Sequence, residues 1–190
     1  MLLTIITPTI LRTSLAQTCK SVDEQGFDDF EHICMVDRPE SNLAAITHLM
    51  GEKRIFILCD RAHGNWGNAC RHGAFSIANG EYICYIDDDD ECLPGAFQTI
   101  ADAIEKHPPA WLLFPALVGG NRWLKIPPGK GSTVSCQFAY RKDLGIPWPD
   151  SKEYSADGDL VEQLLAVSPP YVLDCHEPLV KVTESRYGAA

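Results

Sequence analysis

Apolar runs and helical patterns alternate along the first two thirds of the chain. LLTIITPT (2–9), HICMVD (32–37), RIFILCD (54–60), YICYID (82–87) and WLLFPAL (111–117) are rich in Ile, Leu, Val and aromatic residues. They show little period-two alternation, the pattern of strands covered on both faces. Between them, residues 14–25, 42–50, 68–78 and 95–106 read as helices; in the last, Phe97, Ile100, Ala101 and Ile104 recur at helical spacing. Such alternation predicts an α/β fold with a mostly parallel central sheet flanked by helices. Beyond residue 118 the pattern changes. The segment VGGNRWLKIPPGKGSTVSCQFAYRKDLGIPWPD is rich in Gly, Pro and aromatics, which predicts loops with one hairpin, 122–126 pairing with 134–140. A helix over 157–166 and a closing strand over 171–174 follow. No repeat, low-complexity tract or interdomain linker is present, so residues 1–190 are expected to form one domain.

In sheets of this kind, ligands collect at the carboxyl ends of the strands. Asp37, Asp60 and Asp87 each stand last in a predicted strand, so parallel strands would turn all three toward one crevice. Thr7, Pro8 and Thr9 end the first strand at the same edge. The fourth strand runs directly into five acids, Asp87, Asp88, Asp89, Asp90 and Glu91. Neighbouring carboxylates repel by ~1 kcal/mol per pair at about 4 Å even in water. A positive partner is therefore expected there, a solvated acidic turn being the plain alternative.

Composition narrows the classes. Lys plus Arg number 16 against 26 Asp plus Glu, a net charge of -10. That charge repels nucleic acid phosphates and anionic lipid surfaces over most of the molecule, although a local basic site is compatible with it. The start, MLLTIITPTILR, lacks a basic leader and a cleavage site, and no apolar run approaches membrane-spanning length. A soluble cytoplasmic protein is expected. None of the eight cysteines is spaced C-x-x-C, and most sit in apolar runs, so they read as small buried hydrophobes in a reducing compartment.

Several acidic signatures can be tested against the run. A calcium loop starting at Asp87 would need Gly and Glu where the chain has Cys92 and Gln98. Asp87, Asp88 and Glu91 share a spacing with the aspartate-rich helix of isoprenoid synthases, but here a strand precedes them. Gly129-Lys130-Gly131-Ser132 lacks the order of a phosphate loop. What remains is a D-x-D motif, Asp87 and Asp89, at a strand end. Two such carboxylates suit Mn2+ or Mg2+, with diphosphate oxygens filling the remaining positions.

The ordered segments TIITPT, MVDRPES, GNACRHGAFSIANGEYICYIDDDD and LPGAF resemble those of glycosyltransferases of the GT-A fold, most closely family 2. The likeness covers roughly the first hundred residues. It implies a metal-dependent transferase of the hexosyltransferase type, taking sugar from a nucleoside diphosphate sugar, a UDP-sugar above all, to an acceptor hydroxyl, with inversion. It also implies a division into residues 1–118 for nucleotide sugar and metal and 119–190 for the acceptor.

Carried over by position, the resemblance implies that Thr7, Pro8 and Thr9 line the nucleotide pocket and that Asp37 binds base or ribose. Asp60, Asn68 and Arg71 border the donor, Arg71 holding the aspartate turn or the diphosphate. Asp87 and Asp88 serve the nucleotide sugar; Asp87 and Asp89 hold the metal, with Asp90 able to replace one of them. The chain departs from the family pattern at His72 and at Arg38-Pro39.

Farther on, SADGDLVEQLL echoes the family's late acidic segment, making Asp157 or Asp159 the base that deprotonates the acceptor; helix capping is the plain alternative. His176 is a candidate further metal ligand, of the kind some retaining GT-A enzymes use, or a structural histidine. Trp66, Trp123 and Trp148 fall in predicted loops and suit either stacking on a sugar or packing; His63 and Asn65 are weaker candidates for the donor border.

Two rivals stay open. A nucleotidyltransferase would release pyrophosphate, and the missing Gly-rich basic loop after the first strand counts against it. A non-catalytic nucleotide-sugar-binding module would keep the pocket without turnover. The acceptor, whether a glycan, lipid or protein hydroxyl, is not legible, and the small C-terminal part leaves room for a homo-oligomer or a partner to complete its site.

Overall fold

The computed structural model describes residues 1–40, 43–173 and 175–183. In chain order the strands are β1 (Leu3–Thr9), β2 (Phe30–Val36), β3 (Arg54–Leu58), β4 (Tyr82–Tyr85), β5 (Glu91–Cys92), β6 (Trp111–Leu113), β7 (Ala116–Val118), β8 (Asn121–Trp123), β9 (Phe138–Arg141), β10 (Tyr171–Val172) and β11 (Val180–Val182). The helices are α1 (Leu15–Asp23), α2 (Asn68–Ile77), α3 (Ala96–Lys106) and α4 (Ala156–Val167), with 3-10 turns over Leu43–Leu49 and Lys142–Leu144.

The main sheet has seven strands in the order β10-β6-β9-β4-β1-β2-β3. Strand β1 runs parallel to β2 and β4, β2 to β3 and β10 to β6, while β9 is antiparallel to both its neighbours. The α/β fold with a mostly parallel central sheet is thus as expected.

All seven residues of β1 are buried because each face of the strand meets its own core. Ile5 packs in a cluster with Val22 of α1 and with Phe97 and Ile100 of α3. Its neighbour Ile6 joins the opposite cluster, with Cys70 and Ala74 of α2 and Leu160 and Leu164 of α4. Each such aliphatic side chain stabilises the fold by roughly 1.5–3 kcal/mol when fully buried. All eight cysteines are free thiols and seven are buried. No described helix is long and apolar enough to cross a membrane.

The structure corrects the sequence reading in four places. The run 111–117 is two strands, not one: the ladder stops at Pro115, which has no N–H to donate, and β7 passes into a second sheet of order β5-β11-β7-β8. Residues 122–126 do not pair with 134–140. Strand β8 folds back on β7 across the two-residue turn Gly119-Gly120, and β9 inserts between β4 and β6. The segment expected as a helix over 42–50 is a 3-10 turn at Leu43–Leu49, residue 42 lying outside the described residues. The closing strand is Tyr171–Val172, with Asp174 outside the described residues. Strands β5 and β11 were not expected at all.

Candidate active site

A cleft of about 1040 Å3 opens at the carboxyl edge of β1, β2 and β4. Pro8, Thr9, Arg12, Asp37, Asn68, Arg71, Asp87, Asp88 and Asp89 line it from the sheet side. Ser135, Trp148, Tyr154, Asp157 and Thr183 close it from the second half of the chain, with Trp66 and Gly67 also at its wall.

Two guanidinium groups and a set of fixed donors hold the acidic turn together. The turn is closed by Asp90 N–H donating to the Asp87 carbonyl at 3.0 Å. Arg71, from α2, pairs with Asp87, and Ser135 Oγ donates to the other Asp87 oxygen at 3.3 Å. Asp88 accepts from Thr9 Oγ1 at 2.7 Å and from Arg12 Nη1 at 3.0 Å. Burial pushes the Asp88 carboxyl up, while Thr9 and Arg12 oppose that shift. Arg12 also reaches Asp89 at 3.1 Å. From the far end of the chain, Thr183 N–H donates to Asp90 Oδ1 at 3.0 Å, and its hydroxyl donates to the Asp89 carbonyl. Thr18 Oγ1 donates to the Asp90 carbonyl at 2.8 Å.

Arg71 is itself fixed. Its Nη1 donates to the Trp66 carbonyl at 2.9 Å, and its guanidinium lies 4.7 Å from the centre of the buried Trp148 ring. Its Nε is buried without a hydrogen-bond partner among the described residues.

Carboxylate oxygens of Asp87, Asp89 and Asp90 lie within 4.8 Å of one another. An all-carboxylate set of hard oxygens matches Mg2+ or Mn2+ rather than a softer ion, so these residues fit the expected cation.

The other candidates fall into distinct places. Thr7 lies one step deeper in β1, outside the cleft lining, where its hydroxyl is 2.8 Å from buried His32 Nε2. Pro8 and Thr9 do line the cleft. Asp37 stands there with both carboxylate oxygens engaged, accepting the backbone N–H of His63 at 2.7 Å and of Gly64 at 3.0 Å.

Asn68 clamps the following loop, donating to the carbonyls of Ser151 and Glu153 and accepting from Trp148 Nε1, each at 2.9 Å. His72 Nδ1 donates to the Trp148 carbonyl at 2.7 Å, and Asn65 Nδ2 donates to Asp150 Oδ1 at 3.3 Å. Trp148 is therefore a buried pillar, whereas Trp66 is 64% exposed and meets Tyr154 edge to face at 5.1 Å. Trp123 lies outside the cleft wall, its Nε1 donating to the Ser132 carbonyl.

Asp60 and His176 do not reach the aspartate turn. Asp60 has an 82% exposed side chain and lies outside the cleft lining, 3.5 Å from His63 Nε2, because the chain turns outward after β3. The His176 side chain is 97% exposed beside Glu177, in a separate surface hollow with Leu117, Gly120, Arg122 and Pro178.

The two late acids separate as well. Asp157 faces the cleft at the start of α4, and burial raises its carboxyl to about 6 despite the Gly158 N–H donated to it at 2.8 Å. Asp159, one helical step on, is outside the cleft lining and accepts from Lys130 Nζ at 3.0 Å.

The sequence reading missed Arg12, Ser135, Tyr154 and Thr183 as cleft residues. Arg12 alone left a signal, as a cation three positions past a strand end that carries ligands.

The sequence model described as Glycosyl transferase family 2 matches residues 4–151. A curated relative, GalNAc(5)-diNAcBac-PP-undecaprenol beta-1,3-glucosyltransferase of Campylobacter jejuni, is 29% identical over 101 residues, 52% of this chain and 33% of its own length. Among solved structures, S. aureus TarS 1-349 superposes with a TM-score of 0.80 at 17% identity, over 96% of this chain and 60% of that one. The same fragment in complex with UDP-GlcNAc gives 0.77 at 18%, over 97% and 59%. This chain thus spans about a third of the curated relative and under two thirds of the solved fragments.

Proposed function

The chain belongs to glycosyl transferase family 2, and from that premise we propose that it moves a sugar from a nucleoside diphosphate sugar, a UDP-sugar, to an acceptor hydroxyl with inversion. The carrying observation is the placement of Asp157 in the same cleft as the Arg71-braced aspartate turn, with its carboxyl raised to about 6. The UDP-GlcNAc complex of the structurally similar TarS fragment supports the choice of donor.

Asp157 takes the proton of the acceptor hydroxyl as that oxygen bonds to the anomeric carbon. The bond from that carbon to the diphosphate breaks on the opposite side, and the nucleoside diphosphate leaves with the bonding pair. A carboxyl near 6 is largely ionised at neutral pH yet more basic than an ordinary carboxylate, which suits a general base. Asp87 and Asp89, with Asp90 beside them, are the residues that would hold a divalent cation, whose chemistry is to neutralise the departing diphosphate. Arg71 keeps the turn in place. Trp66 and Tyr154 form an aromatic edge at the cleft on which a sugar face can rest.

The test is a panel of nucleotide sugars with and without Mn2+, followed by thermal stabilisation and release of nucleoside diphosphate. Stabilisation by one donor and its turnover, lost in Asp157→Asn, are expected. Pyrophosphate release, or no response to any donor, overturns the reading.

A further inference from the structure

We propose that Asp37, Cys59 and His63, with Cys70 beside Cys59, form a second cation site, for Zn2+ or a similarly thiophilic divalent ion, at the rim of the cleft and separate from the aspartate turn. Donor atoms of Asp37, Cys59 and His63 all lie within 4.8 Å of one another, and Cys70 Sγ is 3.3 Å from Cys59 Sγ. A tetrahedral zinc site, with Zn–S near 2.3 Å and Zn–N or Zn–O near 2.0–2.2 Å, places its donors about 3.2–3.8 Å apart. The Asp37, Cys59 and His63 side chains therefore need to close in by about 1 Å, within the reach of rotamer adjustment, and Cys70 or a water takes the fourth position. A cysteine sulfur, an imidazole and a carboxylate suit zinc, which would have to displace the thiol proton that burial retains on Cys59, whereas the all-oxygen turn selects magnesium or manganese.

The surroundings are those a bound ion needs. Each Asp37 oxygen already accepts one backbone N–H, from His63 or Gly64, which orients the carboxylate and leaves each oxygen a further lone pair. Asp60, 3.5 Å from His63 Nε2, is placed to steady the ring from outside. The side chain of His63 is 20% exposed and Asp37 lines the cleft, so the ion has a way in.

A second cluster as tight, Cys19, His32 and Cys34, shows what an unsuitable set looks like. Both His32 nitrogens are engaged, Nδ1 by Arg54 Nε and Nε2 by Thr7 Oγ1, each at 2.8 Å. The buried Arg54 guanidinium there repels any further cation.

An ion at the first cluster would pin the connection between β3 and α2 to the end of β2. That connection carries Gly64, Trp66 and Gly67 of the cleft wall. Asp37 lines the same cleft, so the inference is tested by a readout that does not depend on sugar transfer.

Co2+ titration of the chelator-treated full chain tests it. One equivalent should give tetrahedral d–d bands and a thiolate-to-cobalt charge-transfer band, bleached by Zn2+. The band should survive Asp89→Ala, disappear in Cys59→Ser and weaken at least tenfold in His63→Ala, a partly exposed position where far-UV circular dichroism checks that the fold is kept. Absence of the band from the wild type, or its persistence in both Cys59→Ser and His63→Ala, overturns the proposal.

Discussion

Arg71 and Asp87 form an ion pair whose side chains are only 5% and 3% exposed, with the Trp148 ring stacked against the guanidinium. Removing one partner leaves the other as a buried, uncompensated charge. Arg71→Ala should therefore lower the unfolding free energy by about 3–5 kcal/mol. Arg71→Lys keeps the charge but not the fork that also holds the Trp66 carbonyl, and should cost less. Urea denaturation reads both; a loss under about 1 kcal/mol in the alanine variant would show that the pair does not brace the turn.

A base at Asp157 would couple activity to stability with opposite signs. Its folded carboxyl titrates near 6, raised by burial from an ordinary value of 3.8. The stabilising contribution of the protonated form is full below about pH 4 and is lost as the pH rises through 6. Two pKa units at about 1.4 kcal/mol each bound the effect at ~3 kcal/mol. Asp157→Asn should thus be more stable than wild type at pH 7.5, by up to that amount, with the gap closing toward pH 4. Transfer should fall by about 10²–10⁴-fold in the same variant. The wild-type rate should climb through pH 6, and a flat profile from pH 5 to 8 would exclude Asp157 as the base.

Gly67 has φ of +76°, and a Cβ there would stand 2.6 Å from Pro8 Cβ and 2.9 Å from Pro8 Cγ. The proline ring is rigid, so Gly67→Ala combines left-handed backbone strain of ~1–2 kcal/mol with overpacking of ~1–3 kcal/mol. A lower melting temperature and weaker nucleotide binding are expected together, because both residues line the cleft. Gly64, with φ of +61° and nothing within 4 Å of its added Cβ, is the control. Its alanine variant should show the backbone strain alone, and calorimetry that finds the two variants equal would remove the contact with Pro8 from the account.

Asp89→Ala should abolish the extra stabilisation that Mn2+ confers on the complex with a nucleotide sugar and lower transfer at least 100-fold, with the far-UV spectrum unchanged. Full metal response in this variant would move the cation elsewhere.

The legible parts of the molecule were those set by local pattern. Strands β1, β2 and β4 announce themselves because both faces are covered, and α3 because Phe97, Ile100 and Ile104 share one face. The address of the site followed from strand ends. Long-range choices left no trace: nothing local says that the run 111–117 divides between two sheets, or that β9 lies between β4 and β6. The companions of the acidic turn are equally distant, Arg12 being 76 positions from Asp88 and Thr183 being 93 from Asp90. Thr7 was misplaced for a simpler reason, since the sequence does not say how deep along β1 the cleft begins, and the Thr7 hydroxyl is held by buried His32. Asp157 and Asp159 were indistinguishable by type; burial of one and the Lys130 contact of the other separate them.

Strand β11 pairs with β5 immediately after the acidic turn, and Thr183 fastens onto Asp89 and Asp90 from that strand's end. The last described residues thus work as a latch on the first half's chemistry. Folding does not divide at residue 118: a fragment ending before Val180 would lose the clasp that shapes its own aspartates. Any exchange of the C-terminal half of this chain would have to carry the latch along.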